Sequence, residues 1–492
     1  MLTIDLLQRS WTRFRRPGRL VTLAAATLVV IAFGLLYAFG NRADCAGECP
    51  VTPTTADGSA VSDRFWFLHR DLGENGSVTA RLTAMTGTIT YPPPDHDEIV
   101  PGLVPWAKTG LIIKDGTAQG SAYAALAMTG AHGVRFQYDY VHDVTGGAGG
   151  VSTDAPRWLR LVRAGDTITG YESADGEDWR EVGRTTLPGL PETVQVGFFA
   201  ASPGDLTLRR TGLGGVVEEV RFTQATGVFD SIDLAGAPAG GWRSEAVGGM
   251  NHTDWEKHHN ASAAAEKDGV VTISGTGEIG PQPEEGARIA ENLLPGLVIA
   301  LILLLISSAR FGARATGSWP QTAADAVVVA GAAVASMVVA VGIVVPAGLA
   351  VLTANGIPVQ PLGLGTGTRV VLGVAAAVAL SAVLAYALGR LLRRGWLAAL
   401  IAVTGIAVPY AVAAFPFLPD DVSRWLLRLT PAAGFAVQQT AAEFPQVTAH
   451  YAPSSGYFPL PWWAGLAVLC AYTLVALTAM RRTERERTTD FR

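Results

Sequence analysis

Six apolar runs, each long enough to cross a lipid bilayer as a helix, constrain the fold of this chain more than any other feature. The first, from Leu20 to Gly40, contains no charged side chain. As a helix it would be about 31 Å long, close to the ~30 Å thickness of the hydrocarbon core. The other runs cover residues 292–309, 323–353, 368–389, 395–417 and 462–480. A cleaved signal peptide is the alternative for the first run, but its apolar core would be only about 7–15 residues long. We therefore predict six transmembrane helices, the first of them a retained anchor.

The positions of the arginines predict how these helices are oriented. They cluster before the first run, between the second and third, between the fourth and fifth, and after the sixth. These residues are Arg9, Arg13, Arg15, Arg16, Arg19, Arg310, Arg314, Arg390, Arg393, Arg394, Arg481, Arg482, Arg485 and Arg487. All the clusters lie on one side of a six-span arrangement, and arginine is enriched on the cytoplasmic side of membranes. We therefore predict a multi-pass plasma-membrane protein with both termini in the cytoplasm. Its acidic outer segments argue against nucleic acid as a partner.

The charged residues, only 16% of the chain, divide it into domains. We predict a cytoplasmic amphipathic helix with the first span (1–40), an external linker (41–59), a soluble β domain (60–236), an external connector (237–290), a membrane domain (291–482) and a cytoplasmic tail (483–492). The β domain is predicted from short stretches of alternating polar and apolar residues with frequent turn signals. Such a pattern is typical of an all-β sandwich or barrel. One example, "WLRLVRAGDTITGYES", is predicted to be a hairpin.

A series of stretches in this insert resembles the concanavalin A-like (laminin-G-like) jelly roll of the DUF1349 type. They are "PWAKTGLIIKD", "GSAYAALAMTGAHGVRFQYDY", "WLRLVRAGDTITGYESADGEDW" and "VQVGFFAAS", within roughly residues 60–235. The resemblance implies a jelly-roll sandwich of a kind that often binds carbohydrate. Trp106, Trp158 and Trp179 are candidate glycan contacts, with packing in the core as the alternative. The fold by itself establishes neither role.

Glycoside hydrolysis would require two facing carboxylates about 5–9.5 Å apart. The insert offers several acids, but none forms a recognisable catalytic pair. They are Asp139, Asp143, Asp175, Glu177 and Asp178. We therefore predict that the chain is not itself an enzyme.

The cysteines and histidines give weaker indications of a disulfide and of metal binding. Cys45 and Cys49 would lie just outside the membrane, where a small disulfide is plausible. A histidine group (His252, His258 and His259) and the acidic stretch at 94–100 could suggest metal binding, but exposed surface is the simpler interpretation. We predict no metal site.

The N-terminal segment and the link between the second and third spans are predicted to lie in the cytoplasm. Ile4, Leu7, Trp11 and Phe14 recur at helical spacing, which favours an amphipathic helix on the bilayer surface. The link, at 309–326, is basic and aromatic; a plain loop is the alternative. No charged residue lies well inside a predicted span, which argues against an ion-coupled carrier. The sequence also lacks the GxxxxGK[ST] loop of an ATPase, so energy for transport would come from another subunit.

The outer segment between the fifth and sixth spans is partly apolar. Thr430 and Pro431 are typical of a helix start, as cap and first-turn proline. The following "AAGFAVQQTAAEF" is too short to span a bilayer, which favours a re-entrant or interfacial helix.

Two stretches, "RWLLRLTPAAGFAVQQT" and "GYFPLPWWAGLAVLCAYTLVAL" followed by "RR", resemble the membrane subunit of ABC-2 type transporters. The resemblance implies that the first cytoplasmic loop, within Arg310–Asp325, couples to a separate ATP-binding subunit. It also implies external helices within Asp420–Phe444. The residues concerned are Arg310, Phe311, Arg314 and Trp319 in the coupling loop, and Trp425, Thr430, Pro431, Phe435 and Gln438 in the external helices.

The sequence therefore predicts a multi-domain membrane protein with an α-helical six-span domain and an all-β jelly-roll sandwich outside the cell. The expected function is that of an exporting permease subunit. Its expected partners are an ATP-binding subunit that holds ATP and magnesium, a second permease copy, the lipid bilayer and, through the sandwich, a glycan. The chain itself is expected to hold no cofactor. The alternatives are a membrane-anchored carbohydrate-binding sensor or adhesion protein and a membrane-tethered glycosidase.

Overall fold

A computed structural model describes residues 3–44, 51–90, 98–210, 216–249, 261–282, 288–415 and 418–489. These residues form a β-sandwich between residues 61 and 281 and a helical bundle. Six of the helical segments among them are long and apolar enough to cross a membrane. The predicted combination of a six-span helical domain and an all-β sandwich is confirmed.

The helical bundle begins with two helices before the sandwich and continues after it. The helices are α1 (Ile4–Phe14), α2 (Pro17–Gly40), α3 (Leu297–Arg314), α4 (Trp319–Ala354), α5 (Leu364–Leu392), α6 (Gly395–Ala402), α7 (Val408–Ala414), α8 (Asp420–Leu429) and α9 (Trp462–Thr489). Short 3-10 helices cover Ala290–Leu293, Pro431–Gln438 and Pro453–Ser455. We call the end of the bundle that carries α1 the α1 end, and the opposite end the sandwich end.

Helices α3 and α5 cross closely near the α1 end because each has a glycine at the contact. A Cβ atom on Gly312 would lie 2.1 Å from the carbonyl oxygen of Tyr386. A Cβ atom on Gly389 would lie 2.1 Å from the carbonyl oxygen of Ala309. Small residues at such crossings allow helix backbones to approach. The two helices therefore form a tightly packed unit.

The fifth span, Gly395–Ala414, is interrupted by a π-helical turn at Val403–Ala407. The backbone N–H of Val408 donates to the carbonyl of Val403, five residues earlier. Pro409 follows directly, and its ring would clash with the carbonyl four residues before it in a regular α-helix. The wider turn accommodates the proline, so α6 and α7 continue as one span.

The sandwich consists of two antiparallel sheets and a two-stranded ribbon. Its strands are β1 (Val61–Asp63), β2 (Phe65–Leu72), β3 (Asn75–Thr90), β4 (Ile99–Pro101), β5 (Lys108–Lys114), β6 (Tyr123–Thr129), β7 (Val134–Tyr138), β8 (His142–Thr145), β9 (Arg157–Ala164), β10 (Thr167–Ser173), β11 (Arg180–Thr186), β12 (Val194–Ala201), β13 (Asp205–Arg210), β14 (Val216–Ala235), β15 (Arg243–Val247), β16 (Ala263–Lys267), β17 (Val270–Gly275) and β18 (Ile279–Pro281). The seven-stranded sheet has the order β15-β2-β12-β5-β6-β7-β8. The nine-stranded sheet has the order β11-β10-β9-β3-β14-β17-β16, with β13 on β14 and β4 on β3.

The main core of the sandwich lies between these two sheets. Leu111, Phe136 and Phe198 of the seven-stranded sheet pack against residues such as Leu161 and Phe229 of the other. In β9, Leu159 and Leu161 are fully buried, whereas Trp158 and Arg160, which alternate with them, are only partly covered. This alternation is the period-two pattern that predicted the strands.

The sandwich extends past residue 236, where the sequence predicted a connector. Strands β15 to β18 all follow that position, and only one strand, near Val270–Ser274, had been expected. Val271 and Ile273 of β17 are fully buried in the core between the sheets. The segment is therefore part of the sandwich.

The outer face of the seven-stranded sheet is covered by the β1–β18 ribbon. Val61 and Ile279 of the ribbon pack against a second buried cluster that includes Phe65 and Phe199. Within this layer Lys114 Nζ donates to Asp63 Oδ2 at 2.8 Å, and both side chains are fully buried. The hydroxyl of Tyr140 donates to the same oxygen at 2.6 Å. Lys114 and Asp63 are therefore paired and hydrogen-bonded, as the burial of charge requires.

Both connections between the sandwich and the bundle contact the same link, residues 355–363 between α4 and α5. Asn355 Nδ2 donates to the carbonyl oxygens of Ala38 and Asn41, at 3.1 and 3.0 Å. On the return, the N–H of Arg288 donates to Pro358 O at 2.8 Å, and the N–H of Gln360 donates to Arg288 O at 2.9 Å. The chain therefore leaves and re-enters the bundle at neighbouring points.

We expect residues 51–282 to fold in isolation, and residues 60–236 to be much less stable. The shorter fragment lacks Val271 and Ile273, and burial of each such side chain contributes about 1.5–3 kcal/mol. Circular dichroism should show a β-rich spectrum and a cooperative thermal transition for the longer fragment. The shorter fragment should have a melting temperature at least about 10 °C lower, or it should aggregate. In a domain of this size, a loss of about 1 kcal/mol in the free energy of unfolding lowers the melting temperature by a few degrees. Equal melting temperatures would contradict the extended boundary.

Candidate functional site

Helix α1 is held against the bundle by its last turn. Of the four predicted interfacial residues, Phe14 is buried, Leu7 is partly buried, and Ile4 and Trp11 are exposed. The rings of Trp11 and Phe14 stack at a centroid distance of 6.1 Å. Phe14 therefore packs on the bundle, whereas Ile4 and Trp11 leave apolar surface of α1 exposed.

An ion pair with a buried carboxylate connects α1 to α4. Arg13 Nη2 lies 2.6 Å from Asp325 Oδ1, and the side chain of Asp325 is only 1% exposed. Next to it, Gln321 Nε2 donates to Ser10 Oγ at 2.8 Å. The hydroxyl of Tyr386 on α5 donates to Thr322 O at 3.3 Å and lies 3.5 Å from Asp325 Oδ2. Three helices thus meet at one carboxylate.

The four predicted coupling residues do not lie on a long loop. Helices α3 and α4 extend into the predicted link, which is reduced to residues 315–318. Phe311 is buried in the last turns of α3, whereas Arg310 and Arg314 are exposed. Trp319 is the first residue of α4, and the guanidinium of Arg481 lies 5.5 Å from its ring centroid.

Phe311 joins the end of α3 to both α1 and α5. Its ring meets the ring of Phe14 edge to face at 5.5 Å and lies 5.7 Å from that of Tyr386. The guanidinium of Arg19 lies 4.3 Å from the centroid of Phe311 and donates to Arg13 O at 2.7 Å. Such cation–π contacts are favourable when they are partly desolvated. The end of α3, the short link and α1 therefore form one packed unit.

A polar cleft of about 920 Å³ separates α1 from the short link. It is lined by Asp5, Gln8, Arg9, Thr12, Arg13, Thr316, Gly317, Ser318 and Gln321. Hydrogen-bonding groups dominate this surface. The cleft therefore presents charged and hydrogen-bonding side chains from both α1 and the short link.

The predicted external helices differ in detail from the expectation. Helix α8 places Trp425, which is 56% exposed, beside the guanidinium of Arg428 at 5.4 Å. Thr430 and Pro431 are the N-cap and first residue of the next element, as predicted, but the Thr430 hydroxyl donates back to Leu426 O at 2.7 Å and makes no cap bond there. That next element, Pro431–Gln438, is a 3-10 helix and all eight of its residues are buried.

Two glycines explain this burial. A Cβ atom on Gly434 would lie 2.5 Å from the side chain of Leu469, and one on Gly465 would lie 2.1 Å from Ala433 O. Phe435 is fully buried and stacks on Tyr410 at 4.5 Å, and the Tyr410 hydroxyl donates to Gln438 Oε1 at 3.1 Å. The predicted re-entrant segment therefore packs between α7 and α9.

The three candidate glycan-binding tryptophans lie in two places. Trp158 and Trp179 meet around Gly176: the Trp179 Nε1–H donates to Gly176 O at 3.0 Å, and a Cβ atom on Gly176 would lie 2.8 Å from the Trp158 ring. The Arg160 guanidinium lies 3.8 Å from the Trp179 centroid. Trp106 is buried elsewhere, stacked on His132 at 4.0 Å.

Two of the candidate carboxylates, Asp143 and Asp175, have structural partners. Asp143 is paired with Arg135 and accepts from Gln137 Nε2 at 2.9 Å. Backbone N–H groups of Asp178 and Glu177, together with the Ser173 hydroxyl, lower the pKa of Asp175 to about 2. An acid that is ionised so readily is unsuited to protonating a leaving group.

The metal and disulfide candidates fall largely outside the described residues. Cys45, Cys49, His252, His258 and His259 all lie there. Within the described ranges, no three His, Cys, Asp or Glu side chains are grouped so that they could hold a metal ion.

His450 connects the sandwich to the bundle. Its Nδ1 lies 2.7 Å from Glu218 Oε1 of β14, and its Nε2 lies 2.6 Å from Asp420 Oδ2 of α8. Burial disfavours the charged imidazole, but the bonds to Asp420 and Glu218 outweigh it, so the pKa of His450 is raised above its ordinary value of 6.5. The adjacent cleft also carries Arg210, Asp421 and Arg424.

We expect this junction to loosen as the pH rises. A raised pKa means that the protonated imidazole stabilises the contact fully below pH 6.5, and that this stabilisation is lost as the pH passes through the raised value. Spin labels on the β13–β14 hairpin and on α8 should give a distance distribution that broadens between pH 5.5 and pH 8.5. His450→Gln should give a broad distribution at every pH. A narrow, pH-independent distribution in the unmodified protein would exclude this role for His450.

No protein-family model matches the chain, and no curated protein matches it. Solved structures that are similar to it include a protein of unknown function from Saccharomyces cerevisiae, 16% identical, which covers 41% of this chain and 93% of its own, with a TM-score of 0.23. A mutant of the GH43 protein BlXynB from Bacillus licheniformis is 15% identical over 26% of this chain and 24% of its own, with a TM-score of 0.18. Peanut lectin in complex with a 9-residue peptide is 12% identical over 35% of this chain and 82% of its own, with a TM-score of 0.18. At these scores, none of the structures indicates a ligand or an activity for this chain.

Sequence reasoning missed the importance of Arg13 and Asp325. It counted Arg13 only as one of the arginines that set orientation, and it did not assign Asp325 an individual role. The available signal was an acid close to the start of a long apolar helix, since ionisable residues at such positions usually have a partner. The identity of that partner, 312 positions away in sequence, required the fold.

Proposed function

We propose that the chain is the membrane subunit of an ABC-2 type transporter, which moves a substrate across the plasma membrane with ATP hydrolysed by a separate subunit. The observation that carries the proposal is the packed unit of α1, the end of α3 and the short link at one end of six spans. A protein whose spans served only as a membrane anchor would not need an amphipathic helix packed against the first link. It offers a polar cleft and two exposed arginines, Arg310 and Arg314, to a partner.

The distribution of charge supports an external source of energy. Within the spans of the described chain, the charged residues lie near helix ends; examples are Asp325, Arg369 and Arg390. A carrier driven by protons or ions would normally place such groups in mid-membrane. ATP and magnesium would be bound by the partner, with no cofactor held in this chain.

The contacts at the α1 end suggest how a movement of the partner would be transmitted to the membrane helices. A partner that moves the link or α1 would pull on Asp325 of α4 through Arg13, and on Tyr386 of α5 through Phe311. The Gly312–Gly389 crossing couples α3 to α5 in the same region. A second permease copy would supply the other wall of the pathway, and export is the direction that the family resemblance favours. Both termini would then lie in the cytoplasm, with the sandwich outside the cell.

The first test is purification of the tagged full-length protein in a mild detergent, with mass spectrometry of the proteins that accompany it. We expect a stoichiometric ATP-binding subunit and two copies of this chain per complex. Repeated recovery of intact, folded protein without any ATPase would contradict the proposal.

A membrane-anchored glycan sensor is the second candidate function, and the paired Trp158 and Trp179 favour it. Their rings lie beside Arg81 and Arg160, and aromatic and basic groups together suit acidic sugars. The test is glycan-array binding by the full-length protein and by a Trp158→Ala, Trp179→Ala variant. Trp106→Ala is the control, because Trp106 lies elsewhere. Binding that depends on the pair would support this role, and equal binding by all three proteins would exclude these residues.

A further inference from the structure

A cavity of about 380 Å³ lies at the sandwich end of the bundle. Its walls come from the end of α2, the start of α3, the end of α7, helix α8 and the segment around residues 453–458. Most of its side chains are apolar, including Leu294, Val298, Ala413, Leu427 and Phe458. A cavity of this size and lining is typical of a small-molecule site, where about 300–1,000 Å³ is usual.

One carboxylate lies in this apolar wall. Glu291, in the 3-10 helix before α3, accepts hydrogen bonds from the backbone N–H and the hydroxyl of Thr440. The N–H of Ala441 donates to its Oε1 at 3.4 Å. These contacts fix the carboxylate but provide no positive charge. Within the described chain, no Lys, Arg or His lines the cavity.

A second acceptor is held in the same wall. Gln438, 5% exposed, accepts the Tyr410 hydroxyl with its Oε1, as described above. A carbonyl oxygen has two lone pairs, so this oxygen can accept one more hydrogen bond. The cavity thus combines an unneutralised carboxylate, a fixed amide oxygen and apolar walls.

We infer that this cavity binds a small organic cation, namely an apolar molecule that carries a protonated amine. The ammonium group would pair with Glu291, and the apolar body would fill the space between Leu294, Val298 and Phe458. An apolar ligand without charge would leave the carboxylate unpaired in a poorly solvated site, which is costly. An anionic ligand would be repelled. The ammonium group can belong to a free amine or to an aminolipid headgroup.

The state of Glu291 gives the site a pH dependence. Burial, which outweighs the hydrogen bonds from Thr440 and Ala441, raises the pKa of Glu291 to about 7. The carboxylate is therefore ionised at pH 8 and largely protonated at pH 5.5. Because only the ionised form attracts the ammonium, affinity should be about 30-fold lower at pH 5.5 than at pH 8.

The test uses n-octylamine as the probe, with n-octanol as an uncharged molecule of equal length. The full-length protein is placed in phosphatidylcholine nanodiscs, and its thermal unfolding is followed as each compound is added. We expect octylamine to raise the melting temperature more than octanol does, with half-saturation shifting about 30-fold between pH 8 and pH 5.5. The measurement needs no ATPase, so it is independent of the transport proposal.

Three variants separate binding from structure. Glu291→Gln keeps the shape of the side chain and should abolish the difference between octylamine and octanol. Ala413→Phe fills the cavity, leaves Glu291 in place and should also abolish it. Glu443→Gln replaces an exposed glutamate in the same outer segment and should behave like the unmodified protein. Equal shifts from octylamine and octanol in the unmodified protein, or an unchanged difference in Glu291→Gln, would overturn the inference.

A further comparison identifies the source of the ammonium group. Nanodiscs that contain phosphatidylethanolamine are compared with those of phosphatidylcholine alone. If the aminolipid stabilises the unmodified protein but not Glu291→Gln, and suppresses the octylamine effect, the ligand is a lipid headgroup. An octylamine effect of equal size in both nanodiscs identifies a free amine.

Discussion

Replacing Arg13 with methionine should destabilise the α1 end by about 1.5–3 kcal/mol, because the buried Asp325 loses a charged hydrogen-bond donor. Asp325 is 1% exposed, whereas Arg13 is 37% exposed. The reverse change, Asp325→Asn, should therefore cost less, since the arginine left behind can turn toward water. The variant with both Arg13→Met and Asp325→Leu should recover most of the loss, since a buried ion pair can often be replaced by apolar residues.

Two measurements check this order of stabilities. Thermal unfolding in detergent should rank the double variant closest to the unmodified protein, then Asp325→Asn, then Arg13→Met. Trypsin should cleave after the exposed Arg15 fastest in Arg13→Met, because α1 is released there. Arg9→Met is the matched control: Arg9 is exposed on the same helix, and its loss should change stability by no more than about 0.5 kcal/mol. If Arg13→Met and Arg9→Met behaved alike, the ion pair would not hold α1.

Reversing the charges of Arg310 and Arg314 should uncouple the proposed ATPase. Both side chains are exposed at the end of α3, so Glu at both positions should leave the fold intact. At an interface, like charges brought together cost several kcal/mol. We therefore expect at least about a tenfold loss of ATP turnover by the assembled complex, or loss of the ATPase during purification.

The control for this experiment is charge reversal on the neighbouring link. Arg393 and Arg394, between α5 and α6, are exposed at the same end of the bundle. Glu at those positions changes the net charge equally but leaves the α1 unit unaltered. Normal ATP turnover with Arg310→Glu and Arg314→Glu, or an equal loss in the control, would remove the end of α3 from the coupling mechanism.

The spans and the sandwich could be predicted because their signals are local. An apolar run such as Leu20–Gly40, or the alternation around Leu159 and Leu161, is visible within a few residues. The end of the sandwich was not predictable in this way. Strands β15 to β18 are short, and only pairing with β2, β14 and β1 gives them a place in the fold.

The details of the candidate site depended on contacts between distant residues. The start signal at Thr430 and Pro431 predicted a short re-entrant or interfacial helix, but close packing at Gly434 against Leu469 accompanies a buried 3-10 helix there. The pairing of Arg13 with Asp325, and the position of Glu291 in a cavity, bring together segments that are far apart in sequence. Neither contact produces a periodic pattern in the sequence, so neither could be predicted from it.

The chain leaves and re-enters the bundle at neighbouring points. The sandwich is therefore an insertion between two adjacent positions of the helical bundle. Its first and last strands pair with each other, Val61 opposite Pro281, and both connections rest on the link that contains Asn355 and Gln360. A short turn could replace the whole insert without separating α2 from α3. The sandwich could therefore be exchanged or remodelled through these two neighbouring connections, with the contact between Glu218 and His450 as the point that a replacement would have to match.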